Sequence, residues 1–145
     1  MIGLLQRVRN ARVEVRQEII AEIAIGLLVL IGIEKDDNES KADRLLERLT
    51  GYRVFPDSQG KMNLSLVEIG GDMLLVPQFT LAADTRKGMR PGFSSAAPPG
   101  EGQSLFNYLV ERAHSSHNKV VSGRFGADMQ ISLTNDGPVT FILQV

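Results

Sequence analysis

Ten consecutive residues with no charged or strongly polar side chain, Ala24 to Ile33, constrain this chain more than any other feature. A run of that length is about half of what a helix needs to cross a bilayer. Gly26 separates its first residues from Leu27 to Ile33, which is too short for a helix and rich in β-branched residues (Val29, Ile31, Ile33). Both properties point to a central strand buried on its two faces rather than to a helix.

Around this strand the hydrophobic period switches between two and about 3.6 residues. Ile2 to Val8 reads as extended, and Ala11 to Arg16 alternates apolar and charged residues, with Asn10 between them as a turn residue, so an opening hairpin is expected. Glu18 to Ile25 reads as a third extended segment. After Asn38 and Ser40, either of which can cap a helix, Ala42, Leu45, Leu46 and Leu49 fall at the spacing of one helical face, and Gly51 ends the pattern. Tyr52 to Phe55, Leu64 to Ile69 and Met73 to Leu81 read as strands. A second helix follows Pro98, Pro99 and Gly100, with Leu105, Phe106, Leu109, Val110 and Ala113 as its stripe. Val120 to Phe125, Met129 to Thr134 and Val139 to Val145 complete the strands. Two amphipathic helices among many strands indicate a layered α/β or α+β arrangement, and 145 residues without linker or repeat indicate one domain, 1–145.

Composition removes several chemistries. The chain has no cysteine, which excludes disulfides, thiol nucleophiles and zinc-thiolate sites. It contains neither the dinucleotide-binding glycine pattern nor the phosphate-loop pattern. His114 and His117 stand three apart near the end of the second helix, where the C-terminal turn favours cations without any metal, and no central histidine supports a serine or cysteine triad. A net charge of -1 requires any nucleic acid to be held by a local patch. Arg7, Arg9, Arg12 and Arg16 form one candidate, and Arg86, Lys87 and Arg90 another. The N-terminus lacks a basic stretch ahead of an apolar one, so the expected location is cytoplasmic, with no membrane contact.

Two stretches are unusual for buried strands. Val76 to Phe93 runs from apolar residues through Pro77, Gln78 and Thr80 into a basic, glycine-punctuated loop. Thr80 is a nucleophile by residue type only, since no base stands beside it in sequence; backbone N–H groups near Pro77 are the other candidates, as an oxyanion hole. The second stretch, Asn135 to Thr140, places Gly137 and Pro138 between two strands, ordinarily the tip of a hairpin, and a Gly-Pro bond turns cis at a cost of only about 0.5–1 kcal/mol.

Taken together, Gln78-Phe-Thr-Leu-Ala-Ala-Asp84 with Arg90 and Pro91, Gly123-Arg-Phe-Gly-Ala-Asp-Met129, and Asn135-Asp-Gly-Pro-Val-Thr140 resemble the D-aminoacyl-tRNA deacylases along the whole chain. The resemblance implies a mixed, barrel-like sheet with two amphipathic helices packed on one side. It also implies a homodimeric esterase without metal or cofactor that removes D-amino acids from D-aminoacyl-tRNA and leaves L-aminoacyl-tRNA intact. Carried over by position, Gln78, Phe79 and Thr80 form the catalytic stretch, with the Phe79 N–H as oxyanion donor. Gly137 and Pro138 match a cis dipeptide that checks chirality in the other subunit's site, Arg7 matches its brace, and Phe125 and Met129 resemble residues near the terminal adenosine. Arg86, Lys87 and Arg90 are expected at tRNA phosphates. Two positions depart from the family pattern: Pro77 stands where serine is usual, and Gly126 where alanine is common. The alternatives are a tRNA-binding relative with weak or no catalysis, and a Thr80-nucleophile hydrolase acting on free D-amino-acid esters.

Overall fold

A computed structural model describes residues Met1–Val145. Its centre is β1 (Ile2–Val15), a strand long enough to serve two neighbours on one edge. The first half pairs antiparallel with β3 (Gly26–Gly32), Ile2 facing Gly32 and Val8 facing Gly26. The second half pairs with β2 (Glu18–Ile23), from Ala11 opposite Ile23 to Val15 opposite Glu18. On the other edge, β8 (Gln130–Gln144) runs antiparallel along almost the whole of β1. Two parallel pairings extend the sheet from β3 to β6 (Asp72–Pro77) and then to β7 (Val120–Ser122). The sheet curls until β2 approaches β6 and β7, giving a nearly closed barrel.

This closure explains the apolar run at its middle. Leu27, Val29 and Ile31 of β3, with Met73 and Leu75 of β6, enter a core shared with α1 (Glu39–Gly51) and α3 (Pro99–Ser116). Leu28, Leu74 and Val76 point the opposite way into the barrel, against Val8, Val13, Ala21 and Ile23. Successive side chains of a strand alternate faces, so a strand buried on both has no place for polar residues.

Both long helices lie where their periodicity predicts. The Asn38 side chain caps α1 by accepting from the Lys41 N–H at 3.1 Å, and Ala42, Leu45, Leu46 and Leu49 are buried. Pro99 occupies the first turn of α3, where a missing N–H is harmless, and Phe106, Leu109 and Ala113 face the core. Asp43 fastens the two helices: Tyr108 Oη donates to Asp43 Oδ2 at 3.1 Å, and Arg112 Nε to Asp43 Oδ1 at 2.9 Å. No helix is long and apolar enough to cross a membrane.

Several local expectations are corrected. Asn10 is not a turn: β1 passes through it unbroken, and the hairpin to β2 turns at Arg16 and Gln17, which take positive φ values of 52° and 68°. The strand expected at Tyr52 to Phe55 is reduced to β4 (Phe55–Pro56), paired with β5 (Met62–Leu64). Leu64 to Ile69 is not a strand, because Ser65 and Glu68 close a reciprocal capping box that starts the short helix α2 (Leu66–Ile69). The strand expected to reach Leu81 stops at Pro77, and Val120 to Phe125 is extended only to Ser122. Gly137 and Pro138 are not a hairpin tip either. They lie within β8, where the step from Gln6 to Val8 on β1 faces the longer step from Thr140 back to Asn135, so the surplus residues bulge out of the ladder.

Candidate active site

Beyond β6 the chain turns sharply, and the turn carries all three residues of the expected catalytic stretch. The Gln78 N–H makes the last ladder bond to the Ile31 carbonyl at 2.7 Å, after which Phe79–Ala82 winds into one 3₁₀ turn. Pro77 ends the pairing on the opposite side. In a parallel ladder alternate residues bond to alternate neighbours, and Gly123 already donates to Leu75 at 2.8 Å. The next N–H toward β7 would belong to residue 77, so the absent donor falls where β7 has finished. Gly32 leaves room for the turn: a Cβ there would lie 2.8 Å from the Cβ of Leu81.

The N–H groups of Phe79 and Thr80 donate to no other group of the protein. Gln78 Nε2 donates to Thr80 Oγ1 at 2.5 Å, and both side chains lie at the surface. Beside them opens an apolar cleft of about 260 Å³ walled by Pro77, Phe79, Ala97, Pro99, Phe125 and Gly126. A smaller recess behind it reaches Ile31, Ile33, Gln78 and Gly102. Neither is lined by a titratable side chain. The Phe125 ring packs on Phe106 with centroids 6.4 Å apart. Met129 stands behind this wall instead of in it: its sulfur accepts from the Arg124 N–H at 3.3 Å and packs toward the barrel interior.

The loop after the turn is pinned. Asp84 and Gly92 exchange backbone bonds at 2.7 and 2.9 Å, Ser95 Oγ donates to the Ala82 carbonyl at 2.5 Å, and the Ala97 N–H to Ile33 at 3.0 Å. Between these anchors, Arg86 forms a two-point pair with Asp84 at 2.9 and 2.8 Å, and its guanidinium holds that carboxyl far below the usual carboxylate range. Lys87 and Arg90 are exposed and form no ion pair. Phe93, which sequence reasoning did not single out, returns from the loop to lie on Phe79 with ring centroids 5.1 Å apart. Only its place just after Arg90 and Pro91 hinted at it.

Gly137, Pro138 and Arg7 are grouped elsewhere, and no residue from 135 to 140 lines the cleft. The Gly137-Pro138 bond is cis. Arg7 Nε donates to the Asp136 carbonyl at 2.9 Å, and another guanidinium nitrogen donates to the Val54 carbonyl at 2.6 Å. Asn135 closes the bulge from inside, its Oδ1 accepting from the Val139 N–H at 2.6 Å and its amide donating to Thr140 Oγ1 at 2.9 Å. Just past the bulge, Phe141 and Ile142 are exposed on β8, whose outer edge has no partner strand.

The candidate site is thus an apolar cleft with no acid, base or thiol in its wall, beside which the N–H groups of Phe79 and Thr80 have no partner within the protein. The chain belongs to the D-Tyr-tRNA(Tyr) deacylase family, whose model matches residues 4–144. It is 63% identical over 145 residues to a D-aminoacyl-tRNA deacylase of Pseudomonas putida (strain W619), covering 100% of both chains. With a D-aminoacyl-tRNA deacylase of Stutzerimonas stutzeri (strain A1501) it shares 62% over 144 residues, 99% of each. Among solved structures, one described as c-Myc DNA Unwinding Element Binding Protein superposes with a TM-score of 0.96 at 34% identity, over 100% of this chain and 99% of that one. A probable eukaryotic D-amino acid tRNA deacylase shares the fold, with a TM-score of 0.82 at 18% identity over 99% and 98% of the two chains.

Proposed function

We propose that this chain is an enzyme that hydrolyses the ester of D-aminoacyl-tRNA, releasing the D-amino acid and free tRNA and sparing L-aminoacyl-tRNA. Membership of the family carries the reaction, and the free N–H groups of Phe79 and Thr80 at the mouth of an apolar cleft are the observation that carries the site. Water adds to the ester carbonyl, the developing oxyanion takes the Phe79 N–H, and the tetrahedral species expels the ribose oxygen. One such donor is typically worth about 10²–10³ in rate. With no titratable side chain in the cleft wall, the proton passes by way of the ribose hydroxyl beside the ester, which the substrate brings. Phe125 flanks the terminal adenosine, with Met129 supporting that wall from behind. Gln78 holds the Thr80 hydroxyl.

The active species is a homodimer in the cytoplasm, where tRNA is charged. The unpaired edge of β8, the exposed Phe141 and Ile142 beside it, and the absence of Gly137 and Pro138 from their own chain's cleft support a second copy that brings this dipeptide to the cleft. There it excludes an L-side chain by contact, which accepts many D-side chains without recognising any one of them. Arg7 braces the dipeptide, and the loop of Arg86, Lys87 and Arg90 faces the phosphates of the tRNA, Lys87 and Arg90 as the free cations and Arg86 held by Asp84.

A turnover assay on D-Tyr-tRNA and L-Tyr-tRNA tests the reading: free tRNA is expected from the first alone. A protein that binds both and cleaves neither is a binding relative and no deacylase. Sedimentation decides the dimer, which a monomer with full activity would refute.

A further inference from the structure

A second groove, about 420 Å³, shares Phe125 with the apolar cleft as a lining residue. Its volume is in the range of small-ligand pockets, about 300–1,000 Å³. One side is a single face of α3, where Gln103, Asn107 and Glu111 stand at successive four-residue steps. The other is Arg124, exposed and free of any ion pair, and Ile20 adds an apolar surface.

We propose that this groove receives the unpaired nucleotides that precede the terminal adenosine of the tRNA. The inference rests on the reading that Phe125 flanks that adenosine, and it adds where the strand goes next. A single strand asks for a surface on which bases lie, groups that meet their edges, and a cation for the backbone. Ile20, Val110 and Phe125 supply the first, and the carboxamides of Gln103 and Asn107 the second. Arg124 is the cation. Glu111 repels a phosphate but accepts from the exocyclic amine of a cytosine, the base that occupies both positions before the terminal adenosine of tRNA. The rival exit is the loop of Lys87 and Arg90, on the Phe79 side of the cleft.

Substrates of different length separate the two. The D-tyrosyl esters of adenosine and of the trinucleotide CCA are compared as probes, on the parent and on an Asn107→Ala/Arg124→Ala variant. The parent is expected to favour the trinucleotide by about tenfold or more in kcat/KM, as base stacking and one phosphate contact provide. The variant is expected to lose most of that preference through KM while cleaving the adenosine ester at the parent rate. The proposal is overturned by equal parent rates on the two esters or by an undiminished preference in the variant. It is also overturned if Lys87→Ala/Arg90→Ala abolishes the preference in its place. A parent inactive on both esters and on D-Tyr-tRNA would instead remove the deacylase reading, and this proposal with it.

Discussion

Arg7 and Asp136, 129 positions apart in sequence, are joined across β1 and β8 by a bond of 2.9 Å from the Arg7 Nε to the Asp136 carbonyl. The same guanidinium donates to Val54, so one side chain ties the β8 bulge to the segment after α1. With its side chain only 11% exposed, little water replaces these bonds when they are lost. Arg7→Met keeps the stem and removes both. It is expected to cost about 1.5–3 kcal/mol for each of the two bonds, the usual worth of a hydrogen bond to a charged group, and to lower kcat/KM on D-Tyr-tRNA. Arg7→Lys should not restore the parent, because an ammonium lacks the fork that reaches both carbonyls. Denaturant unfolding and turnover check this; full rescue by lysine would refute the brace.

Gly137 sits at φ 140°, in the region L-residues avoid, and a Cβ there would lie 2.7 Å from Val139 Cγ2 and 3.1 Å from an Arg7 nitrogen. Gly137→Ala therefore shifts the bulge or the brace. A displacement near 1 Å costs on the order of 10² in rate, and that loss on D-Tyr-tRNA is the expected outcome, with the unfolding midpoint changed far less. Parent activity in this variant would separate the bulge from the reaction.

Where burial decides structure, the sequence is readable: Leu27 to Ile31 and the α1 stripe of Ala42, Leu45 and Leu49 needed only a polarity pattern. Continuity was less readable. Asn10 and the Gly137-Pro138 pair look like turns locally, yet β1 and β8 run through them because each supplies the other with a partner along nearly its whole length. The hairpin at Arg16 and Gln17 has no glycine to announce it, whereas Ser65 and Glu68 stand at the spacing of a capping box and do announce α2. At the site, Pro77, Gln78 and Thr80 mark a departure from an ordinary buried strand, but the apolar Phe79 and Leu81 between and after them keep the period of β6, so the 3₁₀ turn itself is not marked. The Phe93 ring meets Phe79 only because the pinned loop folds back, a relation no periodicity encodes.

The Asp43 fastening of α1 to α3 sets a pH dependence. The hydrogen bond from Arg112, then that from Tyr108, hold the Asp43 carboxyl below its ordinary value. A carboxylate whose folded pKa is depressed contributes stability that is whole above its unfolded value, about 3.9, and that fades as pH falls through the folded one. Asp43→Asn is therefore expected to lower Tm at pH 7, with the gap to the parent closing progressively below about pH 3.9. Melting curves at several pH values check the sign; a gap that widened in acid would contradict it.

Thr80 is expected to be dispensable as a nucleophile. Its hydroxyl oxygen accepts from Gln78 and has no base beside it, so nothing takes its proton. Thr80→Ala should retain much of the single-turnover rate, because the backbone N–H at 80 and that of Phe79 survive the substitution. An acyl-Thr80 adduct found by mass spectrometry, or parent activity on a tRNA whose terminal ribose lacks the neighbouring hydroxyl, would reverse the assignment.

The basic loop divides into a strut and two free charges. Arg86 is committed to Asp84 through Nε and Nη2, which compensates its charge, while Lys87 and Arg90 project uncompensated beyond the Asp84 and Gly92 bridge. Counterion release makes each phosphate contact visible as a slope of about 0.7–0.9 in the log of the binding constant against the log of salt. Lys87→Ala and Arg90→Ala are each expected to flatten the tRNA slope by about that amount, whatever amino acid the tRNA carries. Arg86→Ala should change the slope less, because its charge is already taken up by Asp84 and releases few counterions; its larger effect should fall on loop order, read as faster amide exchange at Asp84 and Gly92. Equal slopes for all three variants would mean that the strut and the free charges are not distinct. An unchanged slope for the Lys87 and Arg90 variants would move the phosphate contacts off this loop altogether.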